Sequence, residues 1–382
     1  MNPRSVCVVV SGLVAAALAA CVYSSAAQPD FVPSAPPGFA VEIVARVPGA
    51  RELAVAPNGD LLVGTAGRQV AIVPGAEGTP GKPTAFATID DAPDAGVALG
   101  DGALFVGTYS GVYRIPYSPG DRVAKTTPLK IASVRSGGGA GHVTTSVAFS
   151  GGKLYASVGS SCNACAETDP TRATIQEMGP DGAGQHAKAI HIRNAIALAA
   201  DPATGVAWAG VAGQDELEHG HPYEIFDAFS SRPGTLDYGW PGCYENRLRV
   251  RPGIDCTNVV VPRVVFPAYE TPIGAAIYPS HASGTYAFGT TYAGGAFVAL
   301  HGSWHVPLVA PRVVFVPLRA DEPLTAIDWS DPEKQWREFL GGFQNRNGSR
   351  KGRPTGVAVG PEGSLFVADD EAGVIYRIRP AH

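Results

Sequence analysis

The sequence has no heptad repeat and no excess of basic residues. It contains 29 Lys and Arg against 34 Asp and Glu, which gives a formal net charge of −5 with His neutral. Because no basic field is present to attract phosphates, we expect no nucleic-acid partner. The missing heptads exclude a coiled coil.

Glycine and proline are abundant instead. The 47 Gly and 33 Pro residues make up about a fifth of the 382-residue chain, against an average of about 12%. Both residues break helices, so a long helical bundle is excluded. The apolar fraction of 45% is that of a packed protein rather than a disordered one. A chain of this length forms two domains on average, but all-β chains of similar size often form a single domain.

The first 20 residues are typical of a secretory signal. Arg4 precedes an apolar stretch and small residues, and this stretch is too short for a typical membrane-spanning helix. The segment Leu18-Ala19-Ala20-Cys21 resembles a bacterial lipobox, in which Cys21 becomes the lipidated N-terminus. Ordinary cleavage after Ser25-Ala26-Ala27, with a signal peptide of residues 1–27, is the alternative. In both cases we expect an exported protein, located in the periplasm or anchored to the membrane by lipid.

Four cysteines remain after the signal: Cys162, Cys165, Cys243 and Cys256. Their proximity in sequence favours the pairs Cys162–Cys165 and Cys243–Cys256 among the pairings that four cysteines allow. Ala166 stands where haem attachment requires a His, and no second pair supports a zinc site. We therefore interpret Cys162 and Cys165 as a structural disulfide, with a redox dithiol as the alternative.

A hairpin pattern recurs six times along the chain. A short strand rich in apolar and aromatic residues is followed by a turn and a second strand, as in β-hairpins. The copies begin at Leu53, Gly96, Ser146, Ala195, Gly274 and Gly356. In four copies the turn contains a pair that supplies residues of positive φ. These pairs are Asn58-Gly59, Asp101-Gly102, Gly151-Gly152 and Glu362-Gly363.

Six such repeats predict an all-β fold, a single six-bladed β-propeller over residues 36–382. In a propeller each blade packs against its neighbours, and closing the ring removes long exposed edges. We expect residues 39–45 to pair with the last repeat and close the ring. The extra residues at 214–273 and 303–352 are expected at one mouth of the channel, where function collects. Two β-sandwiches in tandem are the alternative.

Polar residues at the ends of repeat strands are the candidate functional groups. His142 follows a run of glycines just before an inner strand, so it would point into the channel, and its ordinary pKa suits a general base. Arg193 offers a rigid fork of donors for carboxylates, and Asn194 can donate or accept a hydrogen bond. The structural alternatives are a hydrogen-bonded loop His and an ordinary strand start on the surface.

Further segments share this placement. The acidic residues 214–218 follow a glycine, so carbonyls and carboxylates there could hold Ca²⁺, but the EF-hand spacing is missing and a solvated loop is the alternative. Residues 237–243 indicate a pocket wall or a well-packed loop. His301 follows one repeat strand and Arg353 leads into another, which mirrors the position of His142.

Together these motifs resemble the pyrroloquinoline quinone (PQQ)-dependent sugar dehydrogenases, especially the L-sorbosone dehydrogenase-like branch. The resemblance extends from Pro36 to the C-terminus. Its most specific marks, in chain order, are HVTTSVAF, GSSCNAC, RNAIAL, DELE, DYGWPGCYE, HGSWH and GRPTGVAV…ADDEAGVIYRI.

The resemblance implies a six-bladed propeller with PQQ lying flat over the channel mouth and Ca²⁺ at its quinone edge. It implies that His142 takes the hydroxyl proton while hydride passes to the quinone. Arg193 and Asn194 would contact the cofactor, with Arg193 near the reacting carbonyl oxygen. Arg353 would contact a PQQ carboxylate. The expected calcium ligands are the backbone carbonyls of Ala212 and Gly213.

The sequence departs from the soluble glucose dehydrogenases at three of these positions. His301 replaces a lysine, Thr355 replaces the second arginine of an Arg-x-Arg pair, and Ile196 replaces a glutamine. The resemblance therefore implies two fewer cations facing the carboxylates of PQQ, which is a tricarboxylate. Because His301 is common in the sorbosone-like branch, we interpret it as that branch's cofactor contact.

The expected activity is oxidation of a sugar hydroxyl or hydrated aldehyde, glucose-like or sorbosone-like, by an exported enzyme with PQQ and Ca²⁺. No haem motif is present, so a separate electron acceptor is expected. A cofactor-free propeller used for binding at the cell envelope is one alternative. A metal-dependent lactonase is another, although it would need several channel-lining carboxylates and the repeats offer few at strand starts.

Overall fold

A computed structural model describes residues 31–135, 141–218, 220–305 and 308–381. The predicted signal peptide, with Cys21 and its lipobox, lies outside these residues. Within them the regular structure consists of strands and two short 3₁₀ helices, Phe229–Ser231 and Thr290–Tyr292. No helix in the described part of the chain is long and apolar enough to cross a membrane.

The strands form six blades, each with four antiparallel strands, and the sheet of the third blade gains a short fifth strand, residues 236–237, that pairs in parallel with its outer strand. The first strand, β1 (Phe39–Arg46), belongs to the last blade. The first blade contains β2 (Ala50–Val55), β3 (Leu61–Thr65), β4 (Gln69–Val73) and β5 (Thr84–Thr88). The second contains β6 (Gly96–Gly100), β7 (Ala103–Gly107), β8 (Gly111–Pro116) and β9 (Leu129–Ser133). The third contains β10 (Thr145–Ser150), β11 (Lys153–Val158), β12 (Thr174–Met178) and β13 (His186–Ile190).

The later blades carry the insertions. The fourth contains β14 (Ala195–Ala200), β15 (Ala207–Val211), β16 (Glu224–Asp227) and β20 (Val264–Phe266). The short strands β17 (Leu236–Asp237), β18 (Cys243–Tyr244) and β19 (Leu248–Arg249) lie between β16 and β20 in the chain. The fifth contains β21 (Pro272–Ile277), β22 (Ala296–Leu300), β23 (Arg312–Val316) and β26 (Arg337–Leu340). The short strands β24 (Leu318–Arg319) and β25 (Glu322–Pro323) lie between β23 and β26 in the chain. The sixth contains β27 (Pro354–Val359), β28 (Leu365–Asp369), β29 (Val374–Pro380) and β1. The structure thus confirms the six-bladed propeller, and the tandem sandwich is wrong.

Both ends of the described chain meet in the sixth blade. β1 pairs antiparallel with β29, from Phe39 opposite Pro380 to Arg46 opposite Val374. This pairing confirms the predicted ring closure. The predicted hairpin turns are also present: Asp101 and Gly102 have φ values of 48° and 65°, and Gly151 and Gly152 have 58° and 75°. Such turns match the twist of the strands that they join.

Neighbouring blades pack through buried apolar side chains. Trp208 and Phe226 of the fourth blade are fully buried with Val298 and Val314 of the fifth. Along the axis, the C-terminal ends of the six inner strands line a cavity of about 500 Å³ whose lining residues are all apolar or glycine. Polar chemistry on the axis therefore belongs to the opposite rim, where the inner strands begin.

At that rim the blades approach closely because several inner strands have a glycine among their first three residues. A Cβ on Gly274 would lie 2.0 Å from the carbonyl oxygen of Thr355, and one on Gly356 would lie 2.2 Å from that of Arg51. No side chain fits between these backbones. The glycines that begin the repeats are therefore required by packing between blades.

We expect Gly274→Ala to destabilise the fold by about 1–3 kcal/mol, because the new methyl group must push the fifth and sixth blades apart. The measurement is urea unfolding. Gly289→Ala is the matched control, since Gly289 is exposed, has φ −62° and has no atom within 4 Å of its added Cβ. Equal stability of the two variants would contradict this explanation of the repeat glycines.

Candidate functional site

The predicted site residues lie at the same rim of the propeller. His142, Arg193, Asn194 and Arg353 come just before the inner strands of their blades. His301 follows β22, which runs antiparallel to the inner strand β21, and its N–H donates to the carbonyl of Thr271 at 3.0 Å. Because every inner strand begins at this rim, the topology gathers residues that are far apart in sequence.

His142 and Arg193 are linked through one residue. The N–H of His142 donates to the carbonyl of Ser160 at 3.0 Å, and the N–H of Ser160 donates to the carbonyl of Arg193 at 2.8 Å. The Nδ1 atom of His142 lies 3.1 Å from both the carbonyl oxygen and Oγ of Ser160; the carbonyl can only accept, and Oγ donates its own proton to the carbonyl of Cys162 at 2.7 Å. Nδ1 therefore carries the proton, and Nε2 keeps a lone pair with no hydrogen-bond partner among the described residues.

Burial is the main cause that lowers the pKa of His142, to about 4, and the positive charges of Arg193 and Arg135 lower it further. The carbonyl of Ser160 and the carboxylate of Asp215 act in the opposite direction. The imidazole is neutral at neutral pH as a result. A neutral imidazole with a free Nε2 lone pair can accept a proton from a bound hydroxyl group.

Gly159 allows His142 and Asn194 to meet. A Cβ at this position would lie 2.4 Å from Oδ1 of Asn194 and 2.5 Å from Cβ of His142. Asn194 is itself buried, and its carbonyl accepts the N–H of Ala212 at 2.9 Å. The glycine that opens the GSSCNAC motif is therefore a packing requirement of the site.

The sequence analysis missed Arg135, which holds the segment around His142. Arg135 is 2% exposed and donates to the carbonyls of Tyr109 and Thr144, both at 2.6 Å, and to Oγ1 of Thr145 at 2.6 Å. Its Nε also donates to the carbonyl of His142 at 3.3 Å. No motif signals this role, because the bonded groups come from the second and third blades.

Arg193 has an acceptor for each of its N–H groups. Nε and Nη2 donate to the carbonyl and the Oδ1 of Asn163 at 3.1 and 2.9 Å, and Nη2 also donates to Asp215 at 3.0 Å. Nη1 donates to the carbonyl of Gly213 at 2.5 Å and approaches that of Ala212 at 3.5 Å. A ligand of Arg193 must therefore share or replace one of these acceptors.

The predicted calcium ligands lie on this same edge of Arg193. The carbonyls of Ala212 and Gly213 converge on a cationic group, so they are placed to stabilise positive charge. Buried Glu224 supports this segment by accepting the N–H of Gly213 at 2.5 Å, and burial raises the pKa of Glu224 to about 7. The role of the Ala212 and Gly213 carbonyls as calcium ligands stays a prediction.

Where the first and sixth blades meet lies a cluster of cations that we call the arginine cluster: Arg51 in β2 and Arg350 and Arg353 just before β27. All three lower the pKa of His301, which burial already holds well below its usual value. His301 is 6% exposed, and its Nε2 lies 3.1 Å from Asp370. Its carbonyl accepts Nε of Arg353 at 3.2 Å. His301 is therefore a neutral support for Arg353, and its direct contact with a cofactor stays a prediction.

Two arginines that no motif predicted, Arg51 and Arg350, lie near His301. Arg51 forms an ion pair of 2.8 Å with Asp370, whereas Nε of Arg350 is buried without a hydrogen-bond partner among the described residues. Thr355, at the position of the missing arginine, is buried and donates to the carbonyl of Ala50 at 3.2 Å. The sequence analysis missed both arginines because neither belongs to a repeated motif.

An aromatic stack lies beside Asp215. The ring of His305 stacks on Tyr269 with centroids 3.8 Å apart and on Trp304 at 4.1 Å. Nε2 of His305 lies 3.4 Å from Asp215, and Trp304 is 72% exposed. The HGSWH motif thus spans two parts of the rim. It begins with His301 at the arginine cluster and ends with His305, which stacks on Tyr269 beside Asp215, the acidic partner of Arg193.

Both predicted disulfides, Cys162–Cys165 and Cys243–Cys256, are present. Within the described ranges one group of metal-ligating side chains comes together, Cys162, Cys165 and Glu167. Because its two sulfurs are paired in a disulfide, this group offers no thiolates to a metal. The haem and zinc alternatives for these cysteines therefore gain no support.

The fold and the rim define a six-bladed propeller that carries a neutral histidine, His142, and a cluster of arginines at the mouth of its channel. Residues 249–381 match the family described as TrAA12-like. No curated protein matches the sequence.

Solved structures share the fold at low sequence identity. The holo form of the PQQ domain of pyranose dehydrogenase from Coprinopsis cinerea has a TM-score of 0.77 at 20% identity, covering 92% of this chain and 98% of that one. The calcium structure of the Trichoderma reesei AA12 enzyme has a TM-score of 0.74 at 19% identity, covering 91% and 97%. The PQQ-bound aldose sugar dehydrogenase of Streptomyces coelicolor has 0.61 at 19%, covering 91% and 99%. These similarities establish the fold, and the match of residues 249–381 to the TrAA12-like family supports the resemblance drawn from the motifs.

The pKa of His142 predicts a pH dependence of stability. Unfolded His142 takes up a proton as the pH falls through about 6.5, whereas the folded residue does so only near 4, so protons favour the unfolded chain across this window. We expect this one group to lower the free energy of unfolding by up to about 3 kcal/mol at about pH 4 relative to neutral pH.

The measurement is urea unfolding of the wild type and His142→Gln between about pH 7 and pH 4. The variant cannot titrate at this position, so its stability should fall less steeply with decreasing pH. Identical pH profiles would show that His142 is not held neutral by its surroundings.

Proposed function

We propose that the protein is a PQQ- and Ca²⁺-dependent dehydrogenase that oxidises a hydroxyl group of a sugar or of a hydrated aldehyde. The observation that carries the proposal is the presence, at one rim, of a histidine whose Nε2 has no hydrogen-bond partner among the described residues and of a cluster of three arginines. Support comes from the match of residues 249–381 to the TrAA12-like family and from the fold shared with a PQQ-bound aldose sugar dehydrogenase and a pyranose dehydrogenase domain.

The residues at this rim fit a flat polyanion. Arg51, Arg350 and Arg353 lie close enough to affect the same histidine, and one buried guanidinium N–H of Arg350 lacks a partner among the described residues. Carboxylates are the groups that guanidinium forks bind best. On the other side, the carbonyls of Ala212 and Gly213 are hard oxygen donors of the kind that Ca²⁺ prefers. These residues would hold PQQ and Ca²⁺.

The proposed chemistry divides between the cofactor and the chain. PQQ supplies the quinone that accepts the hydride from the substrate carbon. Nε2 of His142 accepts the proton of the substrate hydroxyl, so that a carbonyl group forms as the C–H bond breaks. Arg193 would stabilise the negative charge that develops on the cofactor, and Asn194 would contact the cofactor, as the family resemblance implies.

The electrons must then leave to a separate acceptor, since the sequence has no haem motif. We further propose that the protein is exported, through the signal-like residues 1–27 and with either a lipid anchor at Cys21 or ordinary cleavage. Two disulfides are consistent with an oxidising compartment.

The test is reconstitution of the purified protein with PQQ and Ca²⁺, followed by dye reduction with a panel of aldoses and sorbosone-like substrates. We expect His142→Gln to lower kcat by about 100-fold or more, because the hydroxyl proton loses its acceptor, while PQQ binding measured by absorbance changes little. Full activity of this variant would remove the base role of His142.

Other outcomes discriminate between functions. A wild-type protein that binds no PQQ would favour a cofactor-free propeller at the cell envelope. Hydrolysis of lactones that depends on Ca²⁺ and not on PQQ would favour a lactonase.

The arginine cluster has its own test. We expect Arg350→Ala to raise the dissociation constant of PQQ by about 10-fold, because one charge-assisted hydrogen bond is lost. Titration of the protein with PQQ measures this constant without turnover. Arg68→Ala is the control, since Arg68 forms an exposed ion pair with Asp90. If Arg350→Ala and Arg68→Ala bind PQQ equally, the cluster does not hold the cofactor.

A further inference from the structure

The Cys162–Cys165 loop contacts Arg193 at two points, both of them on Asn163. Asn163 receives two hydrogen bonds from the guanidinium, one at its backbone carbonyl and one at Oδ1. Together they fix the Nε and Nη2 edge of Arg193. The opposite edge, Nη1, then points toward the carbonyls of Ala212 and Gly213.

Asn163 also organises the surroundings of that edge. Its Oδ1 accepts the N–H of Asp215 at 2.8 Å, and its Nδ2 donates to the carbonyl of Asp215 at 3.0 Å. Its carbonyl additionally accepts Nε1 of Trp240 at 3.0 Å. The amide therefore bridges the third-blade loop to the insertion of the fourth blade, and both the guanidinium of Arg193 and the backbone of Asp215 bond to it.

A disulfide closes the loop on both sides of this residue. Cys162 and Cys165 are bonded to each other, so Asn163 sits in a ring of four residues whose backbone has little freedom. The loop is half-buried to exposed and contributes little to the core, since its neighbour Ala164 is exposed. A bridge at this place restrains Asn163 rather than the propeller as a whole.

We propose that Asn163 is the positioning residue for Arg193 and that the Cys162–Cys165 disulfide holds Asn163 in place. This inference rests on the proposed function insofar as Arg193 serves the cofactor. It assigns the CNAC motif a part in the site in place of a redox or metal-binding role.

The first measurement is the affinity for PQQ in the presence of Ca²⁺, by titration of the full chain. Asn163→Ala keeps the backbone carbonyl but removes Oδ1 and Nδ2, so Arg193 and Asp215 lose their common partner. We expect the dissociation constant to rise about 10-fold to 100-fold, as for the loss of hydrogen bonds to a charged group. Asn58→Ala is the matched control, because Asn58 lies in the β2–β3 turn at the opposite rim and bonds Asp60. We expect its affinity to equal that of the wild type.

The second measurement needs no cofactor. Arg193, Asp215 and Arg135 are the charged groups that act on His142, and Arg193 has the largest effect of the three. If Asn163 holds Arg193 beside His142, Asn163→Ala should raise the pKa of His142, measured by NMR titration of the imidazole and assigned with His142→Gln. A general loss of stability would not shift this one titration.

The outcomes separate the two proposals. Wild-type protein that does not bind PQQ would defeat the proposed function, and the titration of His142 would still decide the role of Asn163. Unchanged PQQ affinity together with an unchanged pKa of His142 in a folded Asn163→Ala would overturn the inference. If that variant does not fold, Asn163→Gln takes its place, since the longer side chain displaces the same amide groups.

The disulfide is tested by the double variant Cys162→Ala/Cys165→Ala. We expect changes in the same direction as for Asn163→Ala but smaller, because the side chain of Asn163 is still present. The double variant Cys243→Ala/Cys256→Ala controls for the loss of a disulfide as such. Wild-type affinity and pKa in the Cys162→Ala/Cys165→Ala protein would overturn the role given to this bridge.

Discussion

The pairing of β1 with β29 is the interaction on which the rest of the structure depends. It brings the start of the described chain into the last blade and thereby sets the sixth blade against the first. The ion pair between Arg51 and Asp370 joins residues 319 positions apart across this junction. Without ring closure Arg51 would have no place beside Arg353, and the channel would have no continuous rim.

Burial determines the chemical state of the two histidines at the rim. Taking an imidazolium out of water is costly, so desolvation is the first cause that lowers the pKa of both His142 and His301. Neighbouring arginines add to the effect at both places. The two residues nevertheless differ in what they can do: Nε2 of His142 has no hydrogen-bond partner in the part of the chain that the structure describes, whereas Nε2 of His301 faces Asp370 and its carbonyl supports Arg353.

Much of the fold could be predicted because each repeat contains its own local signals. The turn at Asp101-Gly102, the alternating strands and the segment at Phe39 led to the correct blades and the correct closure. Residues of the candidate site were predicted only where a motif coincided with a strand end, as at His142 and Arg193, and their roles stay predictions. Arg135, Asn163 and Arg350 were missed because their partners come from other blades or from inserted loops, and no spacing in the sequence relates them.

The sequence by itself determined the six hairpins, the pairing of the two nearest cysteine pairs and the presence of a histidine and an arginine at strand entrances, since these depend on turn chemistry and short-range spacing. The tertiary structure alone decided which charges meet. It brought Arg51 and Arg350 close to His301, made His301 a neutral support for Arg353, and placed Asn163 against Arg193. The physical reason is that electrostatic interactions act over a few ångströms in space, and only the closed ring makes distant residues neighbours.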